Sequence, residues 1–258
     1  MARNSKTVVT SIAVFVILIN VFFVPSLFVG SLVAYWSFDE GSGQLSKDKS
    51  GQGNDASLID GTQWTKDGKF GDAVLFDGVK NKVSVTDADS LDLGDKLTLE
   101  AWIYSNDVSG AYKGVISKED WNNGKGYYLG QNNKVVYFGF NKGANEIQGG
   151  SIDTNNRWYH IAGTFDSSLV SNNLKIYVNG VLAKEGGTKV LPITHATTLD
   201  VGWIHDLGNY FSGIIDEVAI YTRALTVDEI NKDMTNGIAA ELEPAGKLTT
   251  VWGHVKSY

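Results

Sequence analysis

The sequence contains no cysteine, and this absence excludes a disulfide framework and a zinc–thiolate site. It also lacks a Gly-x-Ser-x-Gly nucleophile elbow and a glycine-rich loop that would cradle phosphate or a dinucleotide. Its four histidines form no closely spaced metal motif, and we interpret His160, inside an apolar run, as a structural histidine. These absences disfavour nucleophilic catalysis and nucleotide binding.

Basic residues are fewer than acidic ones. The chain has 22 lysine and arginine residues against 29 aspartate and glutamate residues, so its net charge is −7. A chain with this balance lacks the electrostatic footprint of a nucleic-acid-binding protein, and we predict no nucleic-acid partner. The acidic balance fits a secreted, soluble surface, and it supplies carboxylates for a hard cation such as calcium.

Helical periodicity is absent before residue 226, and proline is rare, with 3 residues. Instead the chain has 29 glycines, 11% aromatic residues and strand-sized runs separated by turn residues. The run 157–166 has apolar residues on both faces, which is typical of a strand inside a sheet. The run 174–178 alternates and is followed by Asn179-Gly180, a hairpin signal. Further runs lie at 32–38, 54–59, 71–78, 82–85, 97–104, 114–117, 126–130, 134–140, 181–183, 198–203 and 213–221.

This spacing of strands predicts an all-β fold, a two-sheet antiparallel jelly-roll sandwich. One short helix is predicted after it. Thr226 can cap the helix, and Glu229 completes a capping box. Ile230 and Met234 fall on one face, and Asn236-Gly237 ends the helix. Its length of about three turns suits a lid packed on an edge of the sandwich.

A long uncharged run lies near the N-terminus. Arg3 and Lys6 precede residues 8–29, which contain no charge. This pattern predicts an export or membrane helix over residues 1–31. Two alternatives are open: a signal peptide cleaved after Ser31, which we favour, or an uncleaved anchor long enough to span a bilayer.

The segment implies a location outside the cytoplasm, either secreted or anchored at a membrane. If the segment stays uncleaved, we expect membrane contact through it alone. The globular domain is predicted over 32–240, and residues 241–258, where the composition changes, form an appended tail.

Seven segments, taken in order, resemble the laminin-G-like, concanavalin-A-like jelly-roll family. They are YWSFDEGSG (35–43), DKSGQGNDA (48–56), GKFGDAVLFDG (68–78), LDLGDKLTLEAWIY (91–104), RWYHIAGTFD (157–166), LKIYVNG (174–180) and GIIDEVAIYTRALTVDEI (213–230). The resemblance implies two antiparallel sheets stacked face to face, often with a structural calcium. It implies no single activity, since such relatives include adhesive modules, lectin-like modules and polysaccharide-cleaving enzymes.

Four residues are candidate calcium ligands: Asp39, Asn54, Asp77 and Asp216. Calcium takes six to eight oxygen ligands, and carboxylates and amide carbonyls supply them. The first and last strands of a jelly roll can be neighbours, so Asp39 and Asp216 can converge. Asp216, inside an apolar strand, needs a partner because an unpaired buried carboxylate is costly. The alternative is ordinary turn chemistry, in which these side chains bond local backbone.

A glycosidase needs two carboxylates on one face. No Glu-x-Asp-x-x-Glu run is present, and the adjacent pairs Glu119-Asp120 and Asp216-Glu217 are predicted to point to opposite faces. A polysaccharide-active enzyme, either a hydrolase or a lyase, stays the alternative function. It would need two convergent acids from a set such as Glu100, Glu119, Asp120 and Glu146.

Aromatic residues in loops are the candidate ligand-binding residues. Trp121 and Tyr127 flank one Asn/Gly-rich loop, and Trp203 and Tyr210 flank another. Rings with neighbouring amides are typical of sugar-binding sites, and the alternative for these rings is packing. We predict an exported, non-catalytic binding or adhesion module for carbohydrate or another extracellular ligand, including a protein. A purely structural surface protein is the third hypothesis.

Overall fold

The computed structural model of the protein describes residues 31–143, 145–204 and 209–238. The expected export segment, apart from Ser31, and the expected tail lie outside the described residues. Within the described ranges, no helix combines the length and the apolar character that crossing a membrane requires.

The described ranges contain eighteen strands, one 3₁₀ turn at Asp89–Leu91 and one α-helix. The strands are β1 Leu32–Trp36, β2 Leu45–Ser46, β3 Ala56–Ile59, β4 Gln63–Thr65, β5 Ala73–Asp77, β6 Lys82–Val85, β7 Lys96–Ser105, β8 Lys113–Asp120, β9 Lys125–Asn132, β10 Val135–Phe140, β11 Asn145–Ser151, β12 Trp158–Asp166, β13 Leu174–Val178, β14 Val181–Gly186, β15 Leu199–Val201, β16 Trp203–Ile204, β17 Asn209–Tyr210 and β18 Ser212–Tyr221. The helix α1 is Val227–Asn236.

Two eight-stranded antiparallel sheets form the sandwich, which confirms the predicted fold class. Sheet A has the order β14-β13-β12-β7-β18-β5-β4, with β1 also paired to β18. Sheet B has the order β11-β10-β9-β8-β15-β6-β3-β2. A small hairpin, β16–β17, packs against β8.

The core lies between the sheets and follows the alternation of the strands. In β10, Val136, Phe138 and Phe140 point inward and join one large buried cluster. In β13, Leu174 and Ile176 join the same cluster, as the alternation predicts. The strand β12 lies between β7 and β13, which confirms that a run with two apolar faces belongs inside the sheet.

Strand β18 changes neighbours halfway along its length. On one edge, residues 212–215 pair with β5 and residues 218–221 pair with β1. The predicted contact between the first and last strands is therefore confirmed. Between the two halves lies a β-bulge, where Glu217 has a φ of 52°. The bulge interrupts the ladder, so other groups must satisfy the polar atoms at this point.

Asp216 fills this junction. Its buried carboxylate accepts hydrogen bonds from the backbone N–H groups of Lys69 (2.7 Å) and Phe70 (3.0 Å) through Oδ2, and from that of Glu217 (2.9 Å) through Oδ1. Burial raises the pKa of Asp216 to about 8; the N–H of Phe70 opposes the rise, and the charge of Glu217 adds to it. The side chain thus fastens the loop before β5 to the bulge of β18.

The bulge also corrects one prediction from the sequence, that Asp216 and Glu217 point to opposite faces. Glu217 turns to the outer side of sheet A, where its Oε2 accepts a hydrogen bond from Tyr35 Oη at 2.8 Å. Tyr35 belongs to the apolar cluster on the outer side of sheet A. Burial raises the pKa of its hydroxyl, and the charges of Glu217 and Asp216 both raise it further. Burial raises the pKa of Glu217 to about 6.

Helix α1 begins with the predicted capping box, since Thr226 accepts from the Glu229 N–H and the Glu229 side chain accepts from Thr226. It packs on the outer face of sheet A, not on an edge as the sequence analysis expected. Ile230 joins Ala162, Tyr221 and their neighbours in a second buried cluster. The reason is that the central strands of sheet A carry apolar side chains on the outside as well, and these need a cover.

Two carboxyl groups meet beneath α1. Asp233 accepts a hydrogen bond from Tyr221 Oη at 2.9 Å and hydrogen-bonds to Glu100 of β7. Burial raises the pKa of Asp233, because a charged carboxylate is poorly solvated beneath the helix. His160 Nε2 lies 3.7 Å from Glu100, and burial lowers the pKa of His160 to about 3. His160 is therefore a neutral, structural histidine, as predicted.

Asp216 predicts the pH dependence of stability. The folded state keeps the Asp216 proton up to about pH 8, whereas the unfolded chain loses it above pH 3.8. The free energy of unfolding should therefore fall as pH rises through this interval, by at most ~1.4 kcal/mol per pH unit. Below about pH 6.5 the buried His160 has the opposite effect, and the pKa of Asp233 is raised as well, so the contribution of Asp216 is the difference between the wild type and a variant without this carboxyl group, compared from about pH 6.5 to 8.5.

The measurement is urea denaturation across that range for the wild type and for Asp216→Asn. The fall should be steeper in the wild type than in Asp216→Asn, which has no proton to lose at this position. Asp228→Asn, at an exposed position on α1, serves as the control and should keep the wild-type slope. Equal slopes in the wild type and Asp216→Asn would contradict this account.

Candidate ligand-binding site

The outer face of sheet B is free of the helix that covers sheet A. One half of this face is formed by β8, β9, β10 and the edge strand β11, and hairpin β16–β17 borders it at β8. Tyr127 and Leu129 of β9 point into the core, so Tyr128 points outward. In β10, Phe138 points inward and Tyr137 outward for the same reason.

Four aromatic rings form a continuous line across this face. The centroid distances are 5.3 Å from Tyr112 to Tyr137, 5.6 Å from Tyr137 to Tyr128 and 6.4 Å from Tyr128 to Trp121. The two inner rings are fully buried, whereas Tyr112 and Trp121 are half-buried at the ends. We call these four residues the aromatic line. A ligand would meet it at Tyr112 and Trp121.

Amide and carboxyl groups lie beside the aromatic line, on β9 and β11. Gln148 Nε2 donates to Tyr112 Oη at 3.1 Å and to Glu146 Oε1 at 2.6 Å. Asn132 Nδ2 donates to Gln148 Oε1 at 3.1 Å. Gln148 is exposed and Glu146 is half-buried, and burial raises the pKa of Glu146. The face thus combines rings with groups that donate and accept hydrogen bonds.

The candidate catalytic acids are distributed over both sheets. Glu100 lies under α1 on sheet A, so it does not share a face with the others. Glu119 and Glu146 both lie on the outer side of sheet B, where both raise the pKa of Tyr137 beyond the effect of its burial. Glu119 is only 1% exposed. Asp120 lies at the end of β8, where it accepts from Asn123 (2.6 Å) and lies 3.0 Å from His195 Nε2.

The structure separates the four predicted ligand-binding aromatics. Trp121 stands at one end of the aromatic line, and Lys142 Nζ lies 5.9 Å from its ring centroid. Tyr127 is buried in the core, with its hydroxyl on the carbonyl of Leu91 at 2.9 Å. For Tyr127 the packing alternative therefore holds, and the correction follows from strand alternation: of the pair Tyr127–Tyr128, only Tyr128 faces outward.

Trp203 and Tyr210 face each other across hairpin β16–β17. Their rings are stacked, with centroids 5.7 Å apart and planes 17° from parallel. Lys82 Nζ lies 4.1 Å from the Trp203 ring centroid and 3.3 Å from Asp200. The ring of Trp203 is thus already in contact with Tyr210 and Lys82, and both rings are half-buried.

A polar cavity of about 480 Å³ lies at the end of the sandwich near β5. Asp60, Asp77, Asn81 and Asn106 contribute polar groups to its lining. Asp77 Oδ1 accepts from three backbone N–H groups, those of Val79, Lys80 and Asn81, at 2.8 to 3.0 Å. Asp77 thus does the turn chemistry that was the alternative to metal binding, since its Oδ1 caps this turn.

The other predicted metal ligands also hold protein groups. Asp39 and Asp216 do converge on the loop before β5, because Asp39 Oδ1 accepts from the Asp72 N–H (3.3 Å) next to the amides held by Asp216. Asp39 Oδ2 accepts from Ser37 and lies 3.2 Å from Lys49 Nζ. Asn54 points its Nδ2, a donor, at the carbonyl of Val33 (2.7 Å).

The four residues do not fit one calcium site. Asn54, Asp77 and the pair Asp39–Asp216 lie at three separate places, and N–H and ammonium groups surround their carboxylates where a cation would need oxygens. Across the described ranges, no three side chains of the Asp, Glu, His and Cys types are grouped to hold a metal ion.

The sequence analysis missed the inner part of the aromatic line. Tyr128 and Tyr137 were assigned to strands without a role, and Tyr112 and Gln148 were not singled out. One signal was available in β10. If Val136, Phe138 and Phe140 point inward, the alternation of a strand places Tyr137 on the outer face. No sequence signal indicated that Tyr112 would close the line from a loop.

Solved structures with a similar fold are binding domains. The binding domain of Paraclostridial Mosquitocidal Protein 1 aligns with a TM-score of 0.63 at 16% identity, covering 80% of this chain and 52% of that one. The botulinum neurotoxin serotype G binding domain aligns with a TM-score of 0.63 at 17% identity, covering 79% and 50%. The chain thus spans about half the length of these toxin domains. At these identities the likeness shows the fold.

Domain 4 of AbnA, a GH43 extracellular arabinanase from Geobacillus stearothermophilus, was solved in complex with arabinotriose. It aligns with a TM-score of 0.61 at 21% identity, covering 79% of this chain and 98% of that one. No curated protein matches the sequence. The sequence model of one family, described as the concanavalin A-like lectin/glucanases superfamily, matches residues 77–231, more than half of the chain. The chain belongs to the concanavalin A-like lectin/glucanases superfamily.

Proposed function

We propose that the protein is a non-catalytic binding module that recognises carbohydrate on the outer face of sheet B. The observation that carries this proposal is the aromatic line with the amide and carboxyl groups of β9 and β11 beside it. The arabinotriose held by the similar domain 4 of AbnA supports a sugar as the ligand class. A protein ligand outside the cell is the other ligand that this module would take.

The chemistry of the face suits a sugar ring. The C–H face of a pyranose or furanose is apolar and packs on the half-buried ring of Trp121 or Tyr112. Sugar hydroxyls both donate and accept, and the Oε1 of exposed Gln148, which accepts one hydrogen bond from Asn132, has a second lone pair for a sugar hydroxyl. Glu146 adds a half-buried carboxyl group beside it, and burial raises the pKa of Glu146.

A non-catalytic role is supported by the positions of the carboxylates. A glycosidase needs two acids about 5–10 Å apart that both reach the substrate. Glu100 and Glu119 are 0% and 1% exposed, so a substrate does not reach them. Asp120 is already paired, because it accepts a hydrogen bond from Asn123 and lies 3.0 Å from His195 Nε2. That leaves Glu146 as the candidate acid that a sugar on this face would meet. We further propose that the protein works outside the cytoplasm, on the strength of the uncharged run at residues 8–29.

The experiment is a glycan-binding screen followed by titration of the best ligand. Trp121→Ala should weaken binding about tenfold or more, the equivalent of ~1.4 kcal/mol, because an aromatic contact is lost. Trp158→Ala is the matched control. Trp158 is also half-buried and contacts Trp102 and Tyr104 on sheet A, so its loss should leave the affinity unchanged.

A screen without any glycan ligand, together with self-association of the purified protein, would favour a structural role instead. Cleavage of a bound polysaccharide that is lost in Glu146→Gln would favour the enzyme. Equal loss of affinity in Trp121→Ala and Trp158→Ala, with unchanged melting temperatures, would place the binding site elsewhere.

Calcium is a separate prediction that a melting experiment tests. A ligand that binds only the folded state raises its stability by RT ln(1 + [L]/Kd), so a structural ion must raise the melting temperature. Since the four candidate ligands lie at three places, we expect equal melting temperatures in calcium and in EDTA. A higher value in calcium would show a site built from other oxygens, and its loss in Asp39→Asn would assign Asp39 to that site.

A further inference from the structure

One end of the sandwich is defined by a row of paired residues. Leu32 of β1 pairs with Tyr221 of β18, Tyr221 with Thr98 of β7, and Thr98 with Thr164 of β12. Next to this row, Phe165 pairs with Leu174, which pairs with Gly186 of β14. The loops 167–173 and 187–195 therefore leave the sandwich at the same end at which the chain enters β1. We call this the entry end.

The two loops at the entry end expose apolar side chains. The exposed fractions are 43% for Leu169, 100% for Val170, 46% for Val190, 44% for Leu191 and 48% for Ile193. A groove of about 280 Å³ lies between the loops and is lined by most of these side chains. Isolated apolar residues on a surface are ordinary, but five on two neighbouring loops indicate an interaction surface.

The charge of these loops differs from that of the whole protein. The segments SSLVSNN (167–173) and GTKVLPITH (187–195) contain no carboxylate, although the chain has 29 acidic residues. Lys189 is their single lysine or arginine, and it is exposed. A surface of apolar groups, hydroxyls, amides and one ammonium is compatible with lipid headgroups and the acyl boundary.

The point at which the chain enters β1 indicates which partner this surface faces. Strand β1 begins at the entry end and runs into the sandwich, so residues 1–31 are joined to the domain at that end. Two residues, Gly30 and Ser31, separate Val29, the last residue of the uncharged run, from β1. Even fully extended, two residues span only about 7 Å. If the run lies in a membrane, the entry end lies against the membrane surface.

The loops are within reach of that surface. Between β1 and β13 lie β18, β7 and β12, and at about 4.8 Å per strand the loop 167–173 lies within about 20 Å of the entry point along the sheet edge. It also extends beyond the row of Leu32, because β12 continues from Thr164 to Asp166 before the loop begins. The loop 167–173 therefore lies on the same side of that row as Ser31.

We propose that the loops 167–173 and 187–195 contact a phospholipid bilayer, with Val170 and Val190 inserted at the headgroup–acyl boundary. This goes beyond the proposed sugar binding and does not depend on it, because the loops contribute no residue to the aromatic line. It adds a second membrane contact to the N-terminal segment. Here we take the uncleaved alternative for residues 1–31, and the bilayer is the proposed partner because those residues then place an uncharged run of membrane-spanning length next to the domain.

The absence of cysteine from the sequence makes a clean test available. The full chain is placed in phosphatidylcholine nanodiscs as Val170→Cys and Val190→Cys, each labelled with an environment-sensitive fluorophore. Val79→Cys is the control, because Val79 is 71% exposed in the turn after β5, at the opposite end of the sandwich. Doxyl groups on the lipids act as quenchers.

The label at positions 170 and 190 should emit at shorter wavelength than at position 79, and lipid-bound doxyl groups should quench it at least about threefold more strongly. All three side chains are exposed, so the substitutions should leave the melting temperature unchanged. Equal emission and quenching at the three positions would overturn the proposal. A blue shift that lipid-bound doxyl does not quench, and that grows with protein concentration, would also overturn it and show contact between copies of the chain.

Discussion

The burial of both faces of the central strands of sheet A constrains the rest of the molecule. In β7, Leu97, Leu99 and Ile103 face the core, while Thr98 and Glu100 on the other side are equally buried. A strand of this kind must be covered on both sides, because its outer apolar and polar groups cannot be left half-solvated. Sheet B covers one side and α1 the other. The broad surface left for a ligand is the outer face of sheet B.

The groups that cover the outer side of sheet A include hydrogen-bond donors as well as apolar side chains, and these donors make it possible to bury carboxyl groups there. Asp216 and Glu217 sit where the ladder of β18 is interrupted, and Asp233 and Glu100 sit where α1 meets β7. Three of these carboxyl groups accept hydrogen bonds from named donors: backbone amides for Asp216, and a tyrosine hydroxyl for Glu217 and for Asp233. Pairing lowers the cost of burying these groups but does not remove it. The raised pKa values of Asp216, Glu217 and Asp233 express that remaining cost.

Local pattern was enough to predict most elements of this fold. The alternation in β13, the Asn179-Gly180 turn and the capping box of α1 are all encoded by residues a few positions apart, and each was confirmed. The strands that were missed, β2, β4, β11 and β17, are either very short or polar. The sequence NEIQGGS of β11 has few apolar groups, and it forms a strand because β10 offers it an edge.

The candidate site was harder to predict because it depends on contacts between distant residues. Trp121 was found from its loop, but choosing Tyr128 over Tyr127 requires knowing which residue of β9 begins the inward series. The bulge at Glu217 depends on the change of partner from β5 to β1, which no local pattern shows. Asp39 and Asp216 show the same limit. Their convergence could be predicted from the topology of a jelly roll, but the backbone N–H groups that donate to their carboxylates belong to the loop before β5, which no local pattern placed there.

A two-sheet sandwich has two kinds of surface, its faces and its ends, and here they differ in chemistry. The free face of sheet B carries rings beside amides, whereas the loops 167–173 and 187–195 at the entry end carry exposed aliphatic side chains and no carboxylate. Strands run from one end to the other, so an end that rests on a bilayer sets the strands upright and turns the free face sideways, parallel to the membrane normal. A face in that orientation is open to a long polymer from the side, and the second contact through the loops would stop the domain from rotating about its single N-terminal connection. If both proposals hold, the separation of apolar residues at the end from hydrogen-bonding residues on the face would allow one small domain to be fixed in orientation and still bind.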